Sequence, residues 1–231
     1  MQKSVNFLEM IGGGVIPEVV VGTWIVMALL LVFAWLAGRS LKNADDPLTP
    51  PEGVGLRSVA ETIAEFLDNF VHEVTQLHGH RDFVPFFGCL FLFILSANFF
   101  GLLPGMEPPT GDSDLTFALG TIAFAFYIFN GIKAQGLLKY LRSFLGPMLA
   151  VAPLMLVIEI SDNLFRPFSL GVRLYANMFA DHTVLSIFTG LTKLIVPLAF
   201  YALGSIVCVV QAMVFMILSM AYVRLAVSHD H

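Results

Sequence analysis

Charge is scarce in this 231-residue sequence: Asp, Glu, Lys and Arg together make up 13% of it, about half of the roughly 25% usual in soluble domains. There are 22 Phe against 12 Lys plus Arg, too little charge to clothe a water-exposed globule. That deficit argues against a soluble enzyme. With 57% hydrophobic residues and a mean hydropathy of +0.82, it also excludes a disordered chain. Basic residues are scarcer than acidic ones. A net charge of −5 and a pI near 5.6 argue against nucleic acid as a partner. The 2 cysteines, Cys89 and Cys208, lie in apolar runs and make no disulfide framework. Chemical motifs are also missing. Gly12-Gly13-Gly14 lacks the Lys-Ser/Thr of a phosphate loop, and neither His-Glu-x-x-His nor Gly-x-Ser-x-Gly occurs, so no catalytic or nucleotide site is expected. Met1 to Met10 carries Lys3 and Glu9 and lacks the profile of a removable leader.

What is present is a set of long apolar runs. A spanning helix needs about 20 mostly apolar residues. Val19 to Ala37, Phe83 to Leu103 and Leu115 to Ile132 meet that need. Pro85 sits in the first turn of the second run, and Leu103-Pro104-Gly105 stops it. Two longer tracts follow, Pro147 to Asp181 and Lys193 to Val227. Each is longer than a bilayer core requires, so each must tilt, bend or protrude. Pro147, Pro153 and Pro167 mark starts or bends in the first. The expected fold is an all-α polytopic membrane protein: five embedded helices, including a long tilted C-terminal hairpin, plus one interfacial amphipathic helix. The expected segments are 1–42 with the first span, 43–82 as a cytoplasmic-side linker, 83–146 with two spans, and 147–231 as the hairpin. Arg39, Lys42, Arg57, Arg81, Lys133, Lys139, Arg142 and Arg224 fall on one side if the N-terminus is outside and the C-terminus cytoplasmic.

The interfacial helix is Leu56 to Leu77. Its apolar residues fall within an arc of about 100° at helical pitch, opposite Arg57, Glu61, Glu65, Asp68 and His72. Ser58 and Glu61 have the spacing of a capping box. The acidic outer face is either a docking face for a partner or plain solvated surface. His72, His78 and His80 match no strong metal spacing, and no metal is expected.

The charged tract carries the chemistry. Glu159, Asp162, Arg166, Arg173, Asn177 and Asp181 share an arc of about 100° on one helix, which describes one wall of an aqueous path or a protein–protein seam. A cation at membrane depth is costly. Arg166 has Asp162 four residues before it, the spacing of a structural salt bridge. Arg173 has no acid three or four places away on either side, so its counter-charge comes from another helix or another chain. The competing account is an Arg satisfied by carbonyls and by Glu159 across a bend. In the last tract Gln211 is the one strong interior polar group, either a helix-packing amide or a partner for Arg or water.

The run Arg166-Pro167-Phe168-Ser169-Leu170-Gly171-Val172-Arg173-Leu174-Tyr175-Ala176-Asn177-Met178-Phe179-Ala180 resembles the signature of the subunit a family of F-type ATP synthases. Asn98 to Pro104 and Gln211 to Met216 support it. The resemblance implies a stator subunit of the F0 sector with two offset proton half-channels and no catalytic site or cofactor of its own. Arg173 would be the family's essential arginine and Asn177 and Gln211 its polar neighbours. Glu159 and His182 stand at proton-access positions, and Asp181 adds a titratable group beside His182. Gly204 cannot relay a proton, so entry passes to His182, Asp181 or Glu159. The implied partners are the c-subunit ring, the peripheral-stalk b subunits, the rest of the synthase and membrane lipid. The implied location is the bacterial inner membrane. The alternative is a stand-alone ion-coupled transporter or channel, which usually shows internal repeats. None is visible here.

Overall fold

The computed structural model describes residues 17–42, 55–76, 80–103, 106–137, 140, 152–191 and 195–227. Among these residues the chain is helical and contains no strand. The helices are α1 (Glu18–Lys42), α2 (Leu56–Thr75), α3 (Val84–Phe100), α4 (Ser113–Gln135), α5 (Ala152–Leu191) and α6 (Ile195–Val227). Stretches Glu18–Ser40, Ser113–Gln135 and Leu198–Val227 are long and apolar enough to cross a membrane. Helix α3 is apolar but has only 17 residues, and α5 carries the charged stripe. The chain forms two compact units, Met1–Pro109 and Thr110–His231.

In the first unit, α1 turns much of its apolar surface outward. Trp24 is 63% exposed and Leu31 66%, as suits a helix in contact with lipid rather than water. Arg39 lies over the Trp35 ring at 5.2 Å, an arginine whose stem covers apolar surface while its charge reaches outward. Helix α2 buries Leu67, Val71 and Thr75, at and beyond one edge of the apolar arc, and leaves Leu56, Val59 and Phe66 of that arc exposed. Its start differs from expectation. The helix opens at Leu56 after Gly55, with no side-chain cap. Ser58 is thereby drawn inside the first turn, where its carbonyl accepts from Thr62 Oγ1 at 2.8 Å. Glu61 instead accepts from Arg57 Nε at 2.6 Å. No capping box forms. The helix ends at Gln76, whose left-handed φ of 51° lets its N–H reach the His72 carbonyl. Leu77 and His78 lie outside the described residues. Helix α3 has Pro85 in its first turn. It ends in a tight turn with the Gly101 N–H on the Asn98 carbonyl. Any Cβ on Gly101 would overlap Pro108, which is why glycine occupies the turn.

The second unit is a three-helix assembly in which α4, α5 and α6 each pack on the other two. Asp112 caps α4 by accepting the Asp114 N–H at 2.8 Å. Helix α5 has 40 residues, about 60 Å at 1.5 Å per residue. It continues past Asp181 to Leu191 because no proline follows Pro167 within it. Helix α6 has 33 residues, about 50 Å. Both exceed a hydrocarbon core of about 30 Å. Pro147 lies outside the described residues, Pro153 falls in the first turn of α5, and Pro167 lies inside it. There it removes the donor that the Asn163 carbonyl would otherwise receive. Next to this weak point α4 comes closest: a Cβ on Gly120 would stand 2.6 Å from the Pro167 carbonyl oxygen. Reciprocally, a Cβ on Gly171 would stand 3.2 Å from the Thr116 carbonyl oxygen. Two glycines bring the backbones together, as small residues do between membrane helices. On α6 the inward face is Gly204, Cys208, Gln211, Phe215 and Ser219, spaced by three and four residues.

Candidate ion-path site

Helix α5 buries Leu170, Leu174, Met178 and Leu185 against its neighbours. On the helical wheel these fall about 20° to 100° from Glu159, overlapping the edge of the polar stripe at Asn177 and Asp181. The stripe therefore straddles the margin of the seam, one flank turned inward and the other outward. This placement decides the environment of each polar residue.

Arg173 falls on the outer side of that margin and is exposed. It makes no hydrogen bond, ion pair or ring contact among the described residues. Glu159 is 14 positions earlier on the same helix, about 21 Å along its axis, and is engaged with Asn163. The account in which Glu159 neutralises Arg173 across a bend is therefore not what the structure shows. Asn177, one turn beyond Arg173, reaches inward and donates through Nδ2 to Gln211 Oε1 of α6 at 2.6 Å. Gln211 is 4% exposed, and its Nε2 has no partner among the described residues. Asp181 and His182 follow at the next turn, half-buried and within electrostatic reach of one another.

Arg166 does not pair with Asp162. It turns across to the neighbouring helices, donating through Nη1 to Tyr127 Oη at 2.8 Å. Its guanidinium also lies 5.3 Å from the ring centroids of Tyr127 and Tyr222. Two aromatic faces and a phenol oxygen outweigh one carboxylate that sits exposed on the far side of the stripe. Tyr127, Tyr222 and Asn163 are neighbours of the stripe that the sequence pattern did not single out. The available signal was a tyrosine in the middle of an apolar span, whose hydroxyl needs a partner when buried.

The polar groups thus divide along α5. Glu159, Asn163 and Arg166 gather near its start with Tyr127. Arg173 stands apart, and the Asn177–Gln211 pair, Asp181 and His182 lie beyond it. Such an arrangement leaves a cation accessible from outside the chain, with hydrogen-bonding and titratable groups on both sides of it along the helix.

Residues 20–224 match a family model described as the ATP synthase A chain. A Bdellovibrio bacteriovorus protein named ATP synthase subunit a is 44% identical over 195 residues, covering 84% of this chain and 85% of that one. The ATP synthase subunit a 1 of Pelobacter propionicus is 37% identical over 214 residues, 93% of this chain and 89% of its own. The Geotalea uraniireducens ATP synthase subunit a is 38% identical over 209 residues, 90% and 87% of the two chains.

Proposed function

This chain belongs to the ATP synthase A chain family, a membrane subunit of the ATP synthase complex, and from that premise we propose that it is the stator which exchanges protons with a rotating ring through Arg173. The observation that carries the proposal is the exposed guanidinium of Arg173, without a partner among the described residues, on a helix packed against two helices long and apolar enough to cross a membrane. A charge so placed is costly unless an acid from another chain faces it.

The mechanism follows from the two environments that such an acid meets. In lipid the ring's carboxylic acid is neutral, because a carboxylate in hydrocarbon is poorly solvated. Beside Arg173 the ionised form is favoured and the proton leaves into one half-channel. Past Arg173 the acid takes up a proton from the other half-channel and re-enters lipid. The guanidinium stays protonated throughout and repels any proton hopping directly between the channels. Each charge crossing 100 mV supplies about 2.3 kcal/mol, delivered as rotation to the catalytic head.

Glu159 and the Asp181–His182 pair are assigned as the proton-access groups of the two half-channels, with Asn177 and Gln211 lining the approach to Arg173. His182 suits a relay near neutral pH. The transported ion is H⁺, the partners are the c ring and the peripheral-stalk b subunits, and the location is the bacterial inner membrane with the N-terminus outside. Cysteine cross-linking tests the contact. Ala176 is exposed next to Arg173. With Cys89 and Cys208 replaced, Ala176→Cys should cross-link to a cysteine on the outer helix of the ring. Cross-links confined to lipid-facing reagents would sink the proposal.

A further inference from the structure

The cluster near the start of α5 has hydrogen bonds that run in one direction. Arg166 Nη1 donates to Tyr127 Oη at 2.8 Å. A guanidinium carries only donors, so Tyr127 must send its own proton elsewhere. It goes to Asn163 Oδ1 at 2.7 Å. That bond settles which end of the Asn163 amide is which. The oxygen faces the phenol, and Nδ2 faces back along the helix. There it donates to the Glu159 carbonyl at 2.8 Å and reaches the carboxylate oxygen Oε1 at 3.4 Å. Tyr140 Oη, 3.5 Å from Tyr127 Oη, adds a weaker donor to the same oxygen and leaves the direction unchanged. Tyr127 is 5% exposed and Asn163 7%, so bulk water does not compete for these bonds.

We infer that Arg166, Tyr127 and Asn163 form a directional chain in which a donor-only cation, acting through one phenol, holds an amide N–H toward Glu159, and that Tyr127 and Asn163 are positioning residues for that acid. The inference rests on the reading of Glu159 as a proton-access group. An amide N–H pairs with a carboxylate, whereas an amide oxygen in its place would pair only with the protonated acid. The Glu159 carbonyl accepts only and favours the same orientation, so the phenol holds from one end an amide that the carbonyl holds from the other. The aromatic clamp keeps the source of the direction in place, since Arg166 is held between a ring from α4 and a ring from α6. The other ionisable groups near Glu159 are Asp162 on its own helix, which is exposed, and the phenols of Tyr140 and Tyr222.

The test is ATP-driven proton pumping by the assembled synthase in membrane vesicles, followed across pH. Tyr127→Phe should move the profile toward higher pH by up to about one unit, the limit set by complete loss of the Asn163 hydrogen bond to the charged acceptor. In a Glu159→Gln background the same substitution should add no shift. Asn163→Leu should reproduce the pattern without disturbing the Arg166 clamp, and it stands in if the Tyr127 variant does not assemble. Arg166→Lys, still a donor-only cation, should stay closer to the unmodified profile than Arg166→Gln, whose carbonyl could take the Tyr127 proton. A Tyr127→Phe profile superimposable on the unmodified one overturns the chain, as does a shift of the same size with and without Glu159. Both results leave the role of Glu159 standing. A Glu159→Gln profile identical to the unmodified one removes the chain and the proton-access reading together.

Discussion

Asn177 Nδ2 donates to Gln211 Oε1 at 2.6 Å across the hairpin, while the other end of the same Gln211 amide, Nε2, has nothing to donate to among the described residues. The two partners are unequal, because Gln211 is buried and Asn177 is exposed. Deleting one or the other should therefore have different consequences. Asn177→Leu strands both ends of a buried amide, at a cost of about 1–3 kcal/mol. Gln211→Leu removes an unmet donor and leaves Asn177 free to be solvated, so it should cost less. The thermal midpoint of the detergent-solubilised complex measures the difference. Equal losses would mean that the pair is not the asymmetric contact described.

Arg173 makes no bond within the described residues of its own chain, so replacing it should spare folding and assembly. Arg173→Ala should cut ATP-driven pumping by about 100-fold or more, the effect of losing a preorganised charge. Arg173→Lys should also pump poorly, since it keeps the charge but loses the planar fork. Vesicle acidification, paired with native gels for assembly, gives both quantities. Full pumping by the alanine variant would refute the ion-path role.

The chain alone should be inert. Reconstituted in liposomes without its partners, it is expected neither to move protons nor to hydrolyse ATP, because under the proposed function the exchanging acid belongs to another polypeptide. Robust transport by the isolated chain would favour the stand-alone transporter.

Gly120→Ala places a methyl 2.6 Å from the Pro167 carbonyl oxygen, a backbone atom that cannot swing aside. Helices α4 and α5 must separate, at about 1–3 kcal/mol, and the level of assembled complex should fall. Gly136→Ala meets no neighbouring atom but sits at φ 79° and ψ 151°, a region nearly restricted to glycine, so its penalty of about 1–3 kcal/mol is purely conformational. Membrane content of the complex measures both. A Gly120→Ala complex at normal abundance would show that the crossing can relax.

Hydrophobic run length was enough to locate the helices, and the polar stripe of α5 was readable as a periodicity. Both depend on local order along one helix. What escaped depends on neighbours. Arg166 had Asp162 at salt-bridge spacing, yet the competing partners, Tyr127 and Tyr222, come from helices far away in sequence. Ser58 and Glu61 had the letters of a capping box, but the helix starts two residues before Ser58, and a cap works only from outside. Tyr127 carried no pattern of its own. Its importance comes from the single proton it must pass on, which is visible only once Arg166 and Asn163 are placed beside it. Arg173 was legible because its local sequence offers it no acid, and the structure supplies none among the described residues.

The contact of Gly120 with Pro167 bears on mechanics as well as packing. Pro167 lies six positions before Arg173, about 9 Å along the helix. Under the proposed function, a sideways load applied at the guanidinium by a passing rotor acts on a short lever, clamped at a joint that has no side-chain padding to compress. Deflection of a beam grows steeply with arm length, so bracing α5 so near the loaded end lets little of the thrust be absorbed as recoil. The absence of a single methyl group would then help the motor keep its torque.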